Sequence, residues 1–460
     1  MALKFYNTLG KKKEEFIPIN KDEVLMYTCG PTVNNYAHIG NLRAYVFADL
    51  LQKTLEYSGY KVRRVMNITD IGIMSSDADS GDDKMTMALI REGKELTLGS
   101  MRELAEFYTE KFKEDLLKLN IKIPKNIYFA SDYVKEDVEL VKKLEEKGYA
   151  YKTSDGLYFD TAKMTDYGIL TGGKITRDSD HARIAENPEK KSPEDFALWK
   201  FNSKIGYESP WGKGFPGWHI ECSAIGINFL AEQFDIHTGG IDLIPTHHTN
   251  EIAQSESATG KKPFVNFWMH SDFVDTANEK MSKSKGNFLK LGSIIEKGIN
   301  PITYRFWLLM ASYHTKVNFS WEAIESTETA LKRLYGLYIK LGKASGGNIA
   351  PEYQQKFKAY IQDDLDTPRA LVVLWDVLKD DNLSDADKKA TVLDFDKVLG
   401  FGFENLKQEE IPEEYVQKKI ELDKSRDENN FEKSDKLRKE LNEAGYDVKN
   451  TPTGSVLSKL

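Results

Sequence analysis

The chain has 460 residues, of which 40% are hydrophobic and 30% are charged, and its formal net charge is −8. This is the composition of an ordinary globular protein, and the length predicts about two to four domains. No apolar run approaches the roughly 20 residues that cross a bilayer, and no apolar segment typical of an export signal opens the sequence. Because the net charge is negative, any binding of nucleic acid must depend on local basic patches.

The chain contains two cysteines, Cys29 and Cys222. Two cysteines are too few for the disulfide framework of a small secreted domain. We therefore expect reduced thiols and a cytoplasmic location, with no membrane partner.

A nucleotide-binding unit is predicted near the amino terminus. Residues 24–27 form an apolar run typical of a buried strand, and residues 61–68 predict a second strand. Between them, helical spacing begins at Leu42, and Gly59 is placed to end that helix. A strand, a glycine-containing turn, a helix and a strand make a βαβ unit. The turn, residues 28–41, reads TCGPTVNNYAHIGN, and the amides at the helix start favour phosphate.

The polar run 75–83 predicts a surface loop, and a helical stretch follows over residues 85–120. From about residue 124 to 207 the pattern breaks into short strands and turns, and the first sheet is expected to resume around Trp211.

The later elements are predicted by the same signals. Residues 217–222 enter a helix, and residues 265–270 predict a strand. Thr246 is placed to cap a helix that runs to Gly260. Apolar spacing predicts helices over 321–342 and 351–378, and a smaller charged module follows from about residue 404.

Two separated motifs carry the strongest functional signal. His38-Ile39-Gly40-Asn41 opens the first helix, and Lys280-Met281-Ser282-Lys283-Ser284 stands far downstream. Together they resemble the paired nucleotide motifs of class I aminoacyl-tRNA synthetases, HIGH and KMSKS, with Asn41 at the last position of the first motif. The segments TCGPTV, GWHIECSA (217–224) and NEIAQSE (250–256) resemble cysteinyl-tRNA synthetases in particular. The resemblance runs from about residue 27 to about residue 454.

The resemblance implies an α/β fold. We expect a Rossmann-type parallel-sheet catalytic core with a connecting insertion, followed by an all-α helical bundle and a small carboxy-terminal anticodon-binding module. The expected boundaries are 1–125 and 208–265 for the core, 126–207 for the insertion, 266–319 for a KMSKS-containing connecting region, 320–400 for the bundle and 401–460 for the module.

A candidate metal site combines Cys29, Cys222, His247 and Glu251. His247 and Glu251 are four residues apart on a predicted helix, so they share a face. Two sulfurs, one imidazole and one carboxylate suit zinc, although each residue alone could equally be a buried cysteine or a surface pair. The resemblance implies that these four residues bind one zinc ion per subunit.

Other residues near these motifs are competing or supporting candidates. His219 and His248 could also bind a metal, and we interpret both as pocket residues. The resemblance further implies that four side chains surround the substrate: Thr69, Trp218, His237 and Asp242.

A metal would explain how cysteine is separated from serine, which differs only in sulfur against oxygen. A pocket that distinguishes two substrates only by a small difference in size favours one over the other by roughly 10- to 200-fold. Zinc bound to thiolates prefers a further sulfur and would hold it as thiolate.

The resemblance implies that ATP activates the amino acid. His38 and Asn41 can donate hydrogen bonds to phosphate, and Lys280 and Lys283 can neutralise the departing pyrophosphate. The implied ATP-binding residues are His38, Gly40, Asn41, Lys280, Met281, Ser282, Lys283 and Ser284. Mg²⁺ is expected to accompany ATP.

The carboxy-terminal segment resembles the family's anticodon-recognition end. Arg426 and Asp435 match positions linked to reading unstacked bases. Asn450 stands where relatives commonly carry aspartate. Its side-chain amide offers hydrogen-bond donors as well as an acceptor. The implied partners are ATP, L-cysteine and tRNA(Cys), and a monomer is expected.

Two alternatives share the core motifs. One is a small-molecule ligase that joins activated cysteine to an amino sugar, and the other is a catalytically silent binding protein. Residues 426–454 favour the tRNA enzyme over the first, and the intact ATP motifs and candidate ligands disfavour the second.

Overall fold

The computed structural model describes residues 2–73, 83–173, 187–276, 279–280, 288–406, 412–451 and 454–459. The chain divides into two compact units, Met1–Glu404 and Asn405–Leu460. Within the described ranges, no helix is both long and apolar enough to cross a membrane.

The strands are β1 (Lys4–Asn7), β2 (Lys12–Glu15), β3 (Val24–Thr28), β4 (Val62–Ile68), β5 (Asn126–Phe129), β6 (Ala150–Lys152), β7 (Gly156–Phe159), β8 (Phe196–Phe201), β9 (Gly214–Pro216), β10 (Phe234–Gly240), β11 (Val265–Ser271), β12 (Val274–Thr276), β13 (Glu279–Lys280), β14 (Val317–Phe319), β15 (Tyr446–Thr451) and β16 (Gly454–Lys459). The helices are α1 (Ile39–Tyr57), α2 (Lys84–Arg91), α3 (Leu98–Lys118), α4 (Val134–Glu146), α5 (Trp218–Phe229), α6 (Thr249–Thr259), α7 (Leu291–Glu296), α8 (Pro301–Leu309), α9 (Trp321–Lys340), α10 (Pro351–Ile361), α11 (Thr367–Lys379), α12 (Asp385–Leu399), α13 (Glu413–Asp427) and α14 (Phe431–Glu443).

The first unit is built around a five-stranded parallel sheet in the order β11-β10-β3-β4-β5. From β3 the chain moves outward to β4 and β5, and it later returns to the other side of β3 for β10 and β11. The strand order therefore reverses between β3 and β10, which is where ligands of such sheets bind, outside the carboxyl ends of the strands. The predicted parallel-sheet core is confirmed.

Apart from the half-buried edge strand β5, the strands of this sheet are largely buried on both faces, as a parallel sheet covered by helices requires. Tyr27, Val65 and Ile236 are fully buried, and Trp268 is 1% exposed. Strand β3 is an apolar run for this reason, whereas β4 and β10 also carry polar residues at both ends.

Helix α1 begins with a reciprocal cap made by the first motif. His38 Nδ1 accepts a hydrogen bond from the Asn41 amide (3.1 Å), and Asn41 Oδ1 accepts one from the His38 amide (3.3 Å). Such a capping box satisfies two amides at a helix start. Gly59 follows the helix with a φ of 98°, so its predicted place is confirmed.

Helix α8 holds α1 from the side. The Tyr304 hydroxyl donates to the Ile39 carbonyl (2.7 Å), and Arg305 forms a fully buried ion pair with Asp49 (2.7 Å). A buried charge without its partner is strongly destabilising. Helix α8 therefore fixes the helix that begins with the His38 motif.

An antiparallel sheet in the order β6-β7-β8-β9 interrupts the parallel one. The short strands expected after residue 124 are present. Residues 214–216 pair with β8, so the parallel sheet resumes at Phe234 and not near Trp211 as expected.

Two helix assignments also differ from expectation. The stretch 85–120 is two helices, because Gly93 adopts a φ of 66° after the end of α2. Thr246 does not cap α6, since it lies in a π-helical turn, Ile244–His248, that continues directly into the helix. Gly260 ends α6 in the left-handed conformation, as predicted.

Helices α9 to α12 form an all-α region, and the stretch 351–378 divides into α10 and α11. The Phe357 ring of α10 stacks on the Phe395 ring of α12, with 4.1 Å between centroids.

The second unit consists of α13, α14, β15 and β16. Its small core contains Leu422, Leu437 and Leu441, which are buried. The hairpin of β15 and β16 is antiparallel.

Candidate active site and metal centre

The four side chains predicted to bind a metal meet at the carboxyl ends of β3 and β10. Cys29 follows β3, Cys222 lies on α5, and His247 and Glu251 lie where the π-helical turn joins α6. Their ligand atoms all lie within 4.8 Å of one another. Cys29 is half-buried and the other three are buried. This is a compact set of four donors of the kind that holds one metal ion.

A second possible set overlaps the first. Cys29 and Glu251 belong to it together with His237 and His248, again within 4.8 Å of one another. His248 Nε2 lies 3.3 Å from Cys29 Sγ and 4.0 Å from Glu251 Oε1. The sequence placed both of these histidines in the pocket and not among the ligands.

The surroundings of Glu251 favour the first set. Its Oε2 atom is engaged by His237 Nε2 at 3.0 Å. Its Oε1 atom lies 3.0 Å from His247 Nε2 but is a buried atom with no hydrogen bond. The two atoms are within ion-pair distance, and both belong to the first set of possible ligands. The first set also has two sulfurs, which suits a soft metal better than one.

Neighbouring side chains hold the rings of His247 and His248. His219 Nδ1 lies 3.0 Å from His247 Nδ1, so His247 Nε2 faces the cluster. His248 Nδ1 contacts His270 Nε2 (2.7 Å), and His270 Nδ1 contacts the Thr8 hydroxyl (2.8 Å). Metal-binding histidines usually have the other ring nitrogen held in this way. The sequence reasoning missed His270 and Thr8, although His270 near the end of β11 carried the signal of a polar residue at a strand end.

Burial and charge act together on the cluster. Burial raises the pKa of the Cys222 thiol well above its usual value, and Cys29 and Glu251 raise it further. Burial lowers the pKa of His247, but Cys222 and Glu251 outweigh it and bring this pKa to about 10. Burial raises the pKa of Glu251, whereas His237 and His247 bring it down to about 2. The cluster therefore stabilises positive charge at its centre, which a divalent cation would supply.

Two of the predicted substrate residues contact this cluster. The Trp218 ring lies 4.5 Å from the His247 ring. The His237 ring stacks on Trp268, with 4.6 Å between centroids and 17° between planes. Tryptophan rings therefore pack against two histidines of the site, His247 and His237.

The other two predicted substrate residues lie at neighbouring strand ends. Thr69 follows β4, is buried, and accepts a hydrogen bond from the Asn67 side chain (2.8 Å). Asp242 follows β10 and is exposed. Gly30, in the glycine-containing turn after β3, packs so closely that a Cβ there would lie 1.5 Å from the Asn67 carbonyl oxygen. Only glycine fits at this turn.

The first nucleotide motif is formed and faces the segment after the second. Because His38 Nδ1 accepts a hydrogen bond, the proton of the neutral ring is on Nε2. Gly40 lies in the first turn of α1. The Phe288 ring meets the His38 ring edge-on at 5.4 Å, and the Ile39 amide donates to the Leu289 carbonyl (2.9 Å).

The second motif is only partly within the described residues. Lys280 ends β13, and its side chain is not among those described. Four further predicted residues lie outside the described ranges: Met281, Ser282, Lys283 and Ser284.

The predicted anticodon residues lie in the second unit. Arg426 is half-buried near the end of α13, and Asp435 is exposed on α14. The side chain of Asn450, in β15, is outside the described set.

The fold is similar to that of solved aminoacyl-tRNA synthetases. Methionyl-tRNA synthetase of Mycobacterium tuberculosis in complex with methionyl-adenylate is 15% identical, with a TM-score of 0.57, over 83% of this chain and 90% of that one. LeuRS of Agrobacterium radiobacter K84, in a ternary complex with tRNA and LeuAMS, is 11% identical, with a TM-score of 0.60, over 84% of each chain. The family model described as tRNA synthetases class I (C) catalytic domain matches residues 15–329. Fold and sequence together define a class I tRNA synthetase.

Relatives that match along nearly the whole chain identify its family within the class I tRNA synthetases. A cysteine–tRNA ligase 1 of Burkholderia lata is 43% identical over 99% of this chain and 97% of the relative. A cysteine–tRNA ligase of Thermococcus onnurineus is 39% identical over 100% of both. The chain belongs to the cysteine–tRNA ligase family, so the family and enzyme class expected from its motifs are confirmed. These matches include the carboxy-terminal unit, which favours this family over the amino-sugar ligases.

Proposed function

We propose that this chain activates L-cysteine with ATP to cysteinyl-adenylate and transfers the cysteine to the terminal adenosine of tRNA(Cys), giving Cys-tRNA, AMP and diphosphate. One observation carries this proposal: two thiols, an imidazole and a carboxylate converge at the strand ends that also lead into the His38 motif. Membership of the cysteine–tRNA ligase family supports it.

The metal centre would hold one zinc ion per chain through Cys29, Cys222, His247 and Glu251. The unbonded Oε1 of Glu251 and the paired sulfurs fit this ion. When bound, zinc supplies an acceptor that prefers the sulfur of cysteine to the oxygen of serine. The chain holds the ligands in place, with His219 on His247 and His237 on Glu251. A reducing, cytoplasmic compartment would keep both thiols available.

The nucleotide site would use His38 and Asn41 as donors to the phosphates. His38 with its proton on Nε2 can donate outward while its Nδ1 holds the start of α1. Lys280 and Lys283 would neutralise the pyrophosphate that leaves when the cysteine carboxylate attacks the α-phosphate, and Mg²⁺ would accompany ATP. Gly40, Met281, Ser282 and Ser284 would complete the ATP site, and Thr69, Trp218, His237 and Asp242 would surround the amino acid.

The rest of the chain would bind tRNA. Arg426 and Asp435 would read anticodon bases, and the insertion 126–207 would help to place the acceptor end. The catalytic core would also include β5 and the whole of β11, and the insertion would extend to β9, because of the sheets in which these strands pair. The enzyme would act as a monomer.

Two assays on the purified chain test this function. Pyrophosphate exchange should depend on cysteine and should be far slower with serine at equal concentration. Transcripts of tRNA(Cys) should then be charged with cysteine. Exchange without charging of any tRNA, together with transfer to an amino sugar, would contradict the tRNA step.

A further inference from the structure

An aromatic cluster of Tyr36, Phe107 and Tyr108 lies beside the nucleotide motif. The Tyr36 ring is edge-on to Phe107 (6.5 Å between centroids) and to Tyr108 (5.3 Å). Tyr108 is buried and Tyr36 is half-buried, but Phe107 is 49% exposed. Tyr36 stands two residues before His38. An aromatic surface therefore opens to solvent directly beside the site proposed for the ATP phosphates.

This surface is preformed. The Tyr108 hydroxyl donates to Glu92 (2.8 Å), and Arg91 donates to the Asn34 carbonyl (2.9 Å). These bonds tie the turn before His38 to the end of α2. A ligand that stacks on the aromatic cluster would not have to order it first.

Among the described residues beside the aromatic cluster, one cation has no ion-pair partner. Lys290 Nζ lies 3.8 Å from the centre of the Tyr36 ring, and no described carboxylate forms an ion pair with it. Lys111 lies 5.9 Å from the Phe107 ring, but its charge is paired with Glu114 at 2.7 Å. Of the two described lysines at the cluster, Lys290 is therefore the one available to an anionic partner. Aromatic faces combined with cations are the chemistry that binds single-stranded nucleic acid.

We propose that the aromatic cluster and Lys290 bind the single-stranded 3′ end of tRNA, with a base stacked on Phe107 and a backbone phosphate near Lys290. This inference rests on the proposed function, because the 3′ end must then reach an adenylate beside His38. An exposed position on helix α3 alone would not suffice to bind a base. Leu117, on the same helix as Phe107, is 66% exposed but has no ring on which a base can stack.

The test compares substitutions on one helix. Phe107→Ala should raise the KM for tRNA in cysteine transfer by roughly 5- to 100-fold, the range for loss of one stacked base. Phe107→Trp keeps the aromatic face and should remain within about twofold of the unsubstituted protein. Leu117→Ala removes an exposed apolar side chain from the same helix and should change nothing.

A truncated tRNA locates the contact. With a tRNA(Cys) transcript that lacks its single-stranded 3′ nucleotides, Phe107→Ala and the unsubstituted protein should bind equally well. The proposal is overturned if Phe107→Ala does not affect transfer, if it weakens the full and truncated tRNAs alike, or if it raises the KM for ATP instead. If the unsubstituted protein supports cysteine-dependent exchange but charges no tRNA, the proposed function itself fails.

Discussion

The metal-ligand cluster and the nucleotide motif both follow β3, but they are held in different ways. In the cluster, Cys222, His247 and Glu251 are at most 2% exposed, and neighbouring histidines hold the last two. In the nucleotide motif, His38 is half-buried and Asn41 is exposed, and each caps the other. One region is enclosed within the protein, and the other is an accessible helix end.

The difference corresponds to the two tasks proposed for the site. Separating sulfur from oxygen requires donors held in a fixed, dry arrangement. ATP is large, and its products must leave, so its phosphates are better met at an accessible helix start. Substitutions in the cluster should therefore remove the bound metal. Substitutions in the nucleotide motif should slow the activation of cysteine by ATP and leave the metal in place.

The largest effect is expected from Cys222→Ala. Loss of one sulfur leaves three donors around a buried charge, so zinc affinity should fall by more than about 100-fold and cysteine activation should be lost with it. Metal content by mass spectrometry of the intact chain is the measurement. Asn228→Ala, on the same helix α5, is the matched control and should keep one zinc. Full zinc content in Cys222→Ala would remove this residue from the ligand set.

The next largest effect is expected from His38→Ala. Removing one donor to a developing phosphate charge should lower the maximal rate of pyrophosphate exchange by roughly 100- to 1,000-fold. Zinc content should stay at one per chain, because the motif does not hold the metal. A raised KM for cysteine at an unchanged maximal rate would contradict the role given to His38.

A smaller effect is expected from His219→Ala, which removes the partner of His247 Nδ1. Zinc affinity should fall by roughly 10- to 100-fold. Activity should return when zinc is added, which distinguishes this variant from Cys222→Ala. Burial lowers the pKa of His219 well below its usual value, so it acts as a neutral ring and the effect should not depend on acid titration near pH 6. Activity that excess zinc cannot restore would argue for a direct role in catalysis.

The smallest effect is expected in the second unit. Arg426→Ala should weaken tRNA binding by about 1 kcal/mol, which is about fivefold in the KM for tRNA. Pyrophosphate exchange should be unaffected. Lys439→Ala, on the exposed side of α14, is the control. Equal loss in both variants would indicate a general charge effect and not base recognition.

The sequence predicted the site where chemistry restricts the residue type. Cys29 and Cys222 are the only cysteines in the chain, and the motif beginning at His38 starts a helix after an apolar strand. It could not decide between His247 and His248 by spacing alone, since both lie within one turn of Glu251. That choice depends on the π-helical turn and on the contact with His219, which only tertiary structure provides.

The fold was predicted best where periodicity is long. The alternation of strand and helix around α1 fixed the parallel core. Strand β9 contains glycine and proline, which have low strand propensity, and it exists because β8 supplies a partner. Thr8 lies in a turn after β1 with no motif of its own, and only the three-dimensional contact with His270 reveals it.

The most direct test of the enclosed metal centre is optical titration of the cobalt-substituted protein. Thiolate ligands give cobalt a charge-transfer absorption, so the free protein should show the two sulfurs of Cys29 and Cys222. Adding cysteine should increase this absorption by about half, because a third sulfur joins the ion, and adding serine should leave it unchanged. No change with cysteine, or the same change with serine, would contradict the claim that this cluster selects the substrate by its sulfur.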